Sequence, residues 1–106
     1  MLSVAGCVQT ESDQIESNNA SLQPSLAESF SDSFLIGTAI APAHYERLQS
    51  ELIRQHFNAA VAENVMKSLY LQPEEGAFYW DDADAFVEFA EANDMHITGH
   101  TLAWHS

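Results

Sequence analysis

From Phe34 onward, short apolar runs alternate with segments of helical period, and that alternation restricts the chain to a parallel α/β architecture. Phe34-Leu35-Ile36-Gly37-Thr38-Ala39-Ile40 is a run of the kind buried on both faces of a parallel sheet, and Pro42 closes it. It is the predicted first strand. From Tyr45 to about His56, Tyr45, Leu48, Leu52 and Ile53 recur at helical spacing, with Glu46, Arg47, Gln49, Glu51 and Arg54 on the outer face. Phe57 to Asn64 reads as a second strand. Asp81 or Asp82 is positioned to cap a second helix whose inner face holds Ala83, Phe86, Val87 and Ala90, and Asn93-Asp94 ends it. Met95 to His100 returns to a strand pattern. The order β-α-β-α-β implies right-handed crossovers between parallel strands, but it fits an eight-stranded barrel and an open doubly wound sheet equally.

Composition narrows the partners. Sixteen acidic residues against three basic ones give a formal charge of -13, which repels nucleic acid and anionic lipid and favours a neutral or cationic partner. No apolar run approaches the roughly 18 residues that span a membrane. A complete β/α barrel needs about 250 residues, so 106 residues are expected to supply under half of one. The single cysteine, Cys7, lies in Val4-Ala5-Gly6-Cys7, which resembles the lipobox of bacterial lipoproteins, where the cysteine is acylated. Residues 1–7 are therefore expected to be a truncated lipoprotein signal, with Cys7 the lipidation site. The stretch 8–33 is rich in Ser, Asn, Gln and acidic residues and has no basic one, a composition expected of a flexible tether. The corresponding localisation is a secreted, cell-surface or periplasmic bacterial lipoprotein that meets the membrane only through its lipid anchor.

Polar residues at strand ends favour the barrel, because barrel enzymes build their sites at the carboxyl ends of the strands. Glu63, Asn64 and Lys67 follow the second strand, and His100, Trp104 and His105 follow the third. A dinucleotide-binding sheet would need a glycine-rich turn after its first strand, and no Gly-x-Gly-x-x-Gly occurs.

The two polar segments, Ala62-Glu63-Asn64-Val65-Met66-Lys67 and Gly99-His100-Thr101-Leu102-Ala103-Trp104-His105-Ser106, resemble the second- and third-strand signatures of family 10 glycoside hydrolases, the endo-1,4-β-xylanases. Ala103 stands where valine is common, and Val65 where an acidic or other residue often stands. The resemblance implies that residues 34–106 are the amino-terminal β-α-β-α-β portion of a (β/α)8 barrel that hydrolyses xylan or xylo-oligosaccharides with retention, as a monomer and without a cofactor or metal. It implies that Glu63, Asn64 and Lys67 bind sugar hydroxyls in the glycone subsites: a carboxylate accepts hydrogen bonds, an amide donates and accepts, and an ammonium donates. His100 and Trp104 would line the subsite beside the scissile bond, the indole offering an apolar platform to the C–H face of a sugar, with His105 supporting the floor. The catalytic acid/base and nucleophile of that family follow the fourth and seventh strands, beyond Ser106, so these residues alone are expected to be inactive. The competing expectation is a non-catalytic glycan-binding surface lipoprotein with a degenerate barrel.

Other candidates are weaker. His96 and His100 share a strand face but lie about 13 Å apart, too far for one metal ion, and the first strand carries no histidine pair. Trp80, in Gly76-Ala77-Phe78-Tyr79-Trp80, is expected to be a packing residue, and His44 and His56 surface or helix-end residues. Glu74, Glu75, Glu88 and Glu91 fall in a loop or on an outer helix face and are not candidates for catalysis.

Overall fold

The computed structural model describes residues 23–46 and 48–105. Three strands, β1 (Gly37–Ile40), β2 (Ala59–Ala62) and β3 (His96–Thr98), form one parallel sheet in the order β1-β2-β3. Gly37 pairs with Ala59 and Ala59 with His96, so the three strands start level with one another. Preceding them is a single helical turn, α1 (Leu26–Ser29). A 3-10 turn (Pro42–His44) and α2 (Leu48–His56) connect β1 to β2, and the short α3 (Ser68–Leu71) and the longer α4 (Asp81–Ala92) connect β2 to β3.

Strand parity decides which face is dry. Ile40, Ala60 and Ala62 point to one face and pack with Ile53 of α2 and Phe86, Phe89 and Ala90 of α4. Ile40 and Phe86 are completely buried. The alanines of β2 let the helix layer approach the sheet closely, while Phe86 and Ile40 are the largest side chains wholly buried between them. Ala39 and Thr98 on the opposite face are exposed.

Each strand is shorter than its apolar run. Phe34 and Leu35 are exposed, and Phe34 instead stacks on Phe30 at 5.0 Å and 18°. Here the expected tether needs correction, because its last part is folded. Ser25 is buried and caps α1 in a reciprocal box with Glu28, its Oγ accepting from the Glu28 N–H at 2.9 Å. The Leu26 N–H donates to His56 Nδ1 at 3.2 Å, so a histidine at the end of α2 seats the start of α1. Composition alone missed this because one capping box and one long-range bond leave little trace in hydropathy. Residues 1–22, including Cys7, lie outside the described residues.

Two helix expectations are also corrected. Leu48 and Leu52 do not face the core; they are 84% and 58% exposed, because α2 turns Ser50 and Ile53 inward. The N-cap of α4 is Trp80, whose side chain makes no cap bond, while Asp81, Asp82 and Asp84 occupy the first turn, where carboxylates oppose the positive helix end. At the other end Asp94 adopts a left-handed conformation (φ 53°), its N–H donating to Glu91 O and the Met95 N–H to Ala90 O, the double bond pattern that closes a helix and starts the next strand.

Asn58 fixes the strand starts. Its N–H donates to Ile36 O at 3.0 Å, its Oδ1 accepts from the Ile36 N–H at 2.8 Å, and its carbonyl accepts from the His96 N–H at 2.8 Å. Asn58→Ala strands the Ile36 N–H and should cost about 1–3 kcal/mol. Amide exchange at Ile36 should accelerate accordingly, whereas Asn58→Asp, which keeps an acceptor, should preserve most of the protection.

Tyr45 stacks on Phe89 at 5.0 Å, and its buried hydroxyl has no hydrogen-bond partner among the described residues. Burial, reinforced by the Asp82 carboxylate, holds this phenol above its usual value of 10.0, so it stays protonated at neutral pH. Removing an unsatisfied hydroxyl removes its desolvation cost. Tyr45→Phe should therefore be neutral or stabilising by up to about 1 kcal/mol in thermal unfolding, and a marked loss would show that the hydroxyl has a partner.

Candidate active site

The alternation that buries Ala60 and Ala62 carries Glu63 to the open side of the sheet, and the parity of His96 and Thr98 continues to His100. Glu63 is exposed just past β2, its backbone N–H still held by Ile40 O at 3.0 Å. The chain then turns. Lys67 N–H donates to Asn64 O at 2.8 Å, and the Lys67 ammonium returns to Asn64 Oδ1 at 2.9 Å, so the backbone and side chain of one asparagine hold both ends of the lysine.

Residues after β3 complete the cluster. The Thr101 hydroxyl donates to Ala103 O at 2.9 Å, closing a tight turn that brings Trp104 back over the β2 exit. There the Lys67 ammonium lies 4.6 Å from the centre of the indole ring. His100 meets the same ring edge-on at 5.3 Å, and His105 lies tilted against it at 4.9 Å. Asn64, Lys67, His100, Trp104 and His105 thus form one connected cluster at the carboxyl ends of β2 and β3, with Glu63 beside Asn64 in sequence. The cluster combines an amide, an ammonium and two imidazoles, and Glu63 adds an exposed carboxylate next to it in sequence. Such a set can both donate hydrogen bonds to hydroxyl groups and accept them.

The other sequence candidates lie elsewhere. His44 Nδ1 accepts the Ala41 N–H at 3.1 Å, and His56 serves α1, so both are used locally. His96 is exposed on β3. Among the described residues no three His, Cys, Asp or Glu side chains are grouped to hold a metal ion. Trp80 departs from the packing expectation: it is 50% exposed and stacks on Phe78 at 5.3 Å with the rings 3° from parallel. That pair lines an open apolar groove of about 490 Å³, with Met66, Val87, His100 and Leu102. The groove runs along α4, whereas Glu63, Asn64, Lys67 and Trp104 are not among its walls, so the chemistry lies beside it. Sequence reasoning missed the groove because Phe78 and Trp80 sit outside any periodic element.

Parallel strands, helices on one face and a polar cluster at the carboxyl ends of the strands make this a β/α protein with its candidate site at the strand ends. The profile of glycosyl hydrolase family 10 matches residues 25–106, and the chain belongs to that family. A thermostable celloxylanase of Thermoclostridium stercorarium is 52% identical over 83 residues, which are 78% of this chain and 21% of the relative. Xylanase B from Clostridium stercorarium F9 superposes with a TM-score of 0.75 at 51% identity, covering 77% of this chain and 24% of the solved one. A mutant solved in complex with xylotriose superposes equally well, at 0.75, with 32% identity over 77% of this chain and 25% of that one. The chain therefore spans about a fifth to a quarter of the length of the relatives it matches. The solved neighbours are (β/α)8 barrels matched over their amino-terminal part, so the three-stranded sheet is the first portion of that architecture.

Proposed function

We propose that this chain provides the amino-terminal part of a retaining endo-1,4-β-xylanase and, within it, the wall that grips the glycone side of xylan or a xylo-oligosaccharide. The observation that carries this reading is the convergence of Asn64, Lys67, His100 and Trp104 at the mouth of a family 10 sheet. The names of the similar proteins, a celloxylanase and a xylanase, and a relative solved with xylotriose support the substrate class.

A retaining mechanism needs two carboxyl groups about 5–5.5 Å apart, one protonating the leaving oxygen and one attacking the anomeric carbon. Under this reading both glutamates come from later strands, and none of the acidic residues described here plays either part. What this segment contributes is binding energy remote from the breaking bond. Such energy orients and distorts the reacting sugar, so it appears partly in kcat as well as in KM.

Glu63→Ala in the complete enzyme should cost about 1.5–3 kcal/mol, roughly 10- to 150-fold in kcat/KM, on xylo-oligosaccharides. The loss should be smaller on an aryl xyloside with one sugar, which cannot fill both glycone subsites. Equal losses on the two substrates would remove Glu63 from the distal subsite.

Cys7 is the proposed acylation site of a surface-tethered form. Cys7→Ser should move the enzyme from the membrane fraction to the soluble fraction with turnover unchanged. Unaltered membrane association would refute the anchor.

A further inference from the structure

We infer that Trp104 is a positioning residue for Lys67: the indole face holds the lysine ammonium in place, and the sugar is met on that side by Lys67 rather than by the ring. The inference deepens the xylan-binding assignment and rests on it for the identity of the ligand.

A lysine side chain has four rotatable bonds and a strongly hydrated head, so an exposed lysine samples many positions. Lys67 is half-buried and restrained from two directions. Its ammonium lies 2.9 Å from Asn64 Oδ1 and 4.6 Å from the Trp104 ring centre, well inside the roughly 6 Å within which a cation is drawn to an aromatic face. His100 and His105 lie against the indole at 5.3 and 4.9 Å, so the ring is itself held. Stacking a sugar on an indole requires an open ring face, and the face under Lys67 is not open. The sequence pattern suggested an aromatic platform; on the face under Lys67 the indole instead supports a hydrogen-bond donor, and 44% of the residue remains exposed. Asn64 and Trp104 leave ammonium protons of Lys67 available to hydroxyl oxygens, since the ammonium has three and Asn64 takes one.

Removal of Trp104 should therefore act largely through Lys67, and the two losses should overlap. In the complete enzyme, kcat/KM on xylotriose and longer xylo-oligosaccharides would be measured for Trp104→Leu, Lys67→Met and the double variant. The expected result is a double variant no more than about 2-fold worse than the poorer single one, with a coupling of about 2- to 30-fold. Trp104→Phe, which keeps an aromatic face and loses the indole N–H, should recover most of what Trp104→Leu loses. Multiplicative losses, or a phenylalanine variant no better than leucine, would overturn the inference and return Trp104 to direct sugar contact. A second readout is independent of activity: the Lys67 εCH2 proton signal, assigned by its loss in Lys67→Met, should be displaced upfield by the ring. That displacement should persist in Trp104→Phe and vanish in Trp104→Leu. An undisplaced signal in the unsubstituted enzyme would overturn the Lys67–Trp104 arrangement whatever the kinetics. Failure of that enzyme to cleave xylan, with the signal displaced, would overturn the assigned substrate and leave the positioning role standing.

Discussion

The contacts of Asn58 are the constraint on which the sheet depends. Parallel strands cannot be joined by a tight turn, so nothing in the local chain sets their register; it has to be set by long-range bonds. Asn58 makes three at one level, two to Ile36 and one to His96. A slip of one residue in any strand would exchange its buried and open faces. In β2 that would expose Ala60 and Ala62 and turn Glu63 toward the helix layer. The asparagine at the closed end of the sheet thereby determines which side chains reach the site at the other end.

From that register the site assembles through two short turns and the contact between them. Glu63 leaves β2 on the open face, and the turn from Asn64 to Lys67 is held by a backbone bond and a side-chain bond to the same residue. The turn after β3 needs only the Thr101–Ala103 contact to bring Trp104 over Lys67. Short local turns on a fixed sheet hold side chains more precisely than long loops would.

Charge is distributed unevenly. In a chain of formal charge -13, Arg54 and Lys67 both lie over aromatic rings, Arg54 at 5.5 Å from Phe89 in the helix layer and Lys67 at Trp104 in the site. An aromatic face attracts a cation while leaving its hydrogen-bond donors unused, whereas a carboxylate would take them up. For Lys67 that distinction matters under the proposed xylan-binding role, because donors held by a carboxylate would be withdrawn from a ligand hydroxyl.

The order of strands and helices, and the two polar segments at strand ends, were legible in the sequence because hydrophobic period and residue type are local properties. So was the family, since Ala62–Lys67 and Gly99–Ser106 keep their chemistry in consecutive residues. The folded turn at Ser25 was not, because its hold depends on His56, thirty residues from the Leu26 amide it accepts. Nor was the exposure of Leu48 and Leu52, which follows from how α2 is rotated against the sheet, or that of Trp80, which precedes α4 and stacks on Phe78. Sequence identified Lys67 and Trp104 as separate sugar-binding candidates; only the tertiary structure, by fixing the register of β2 and β3, put the ammonium on the indole, because contact between the segments that leave two strands is decided by the alignment of those strands and not by either segment alone.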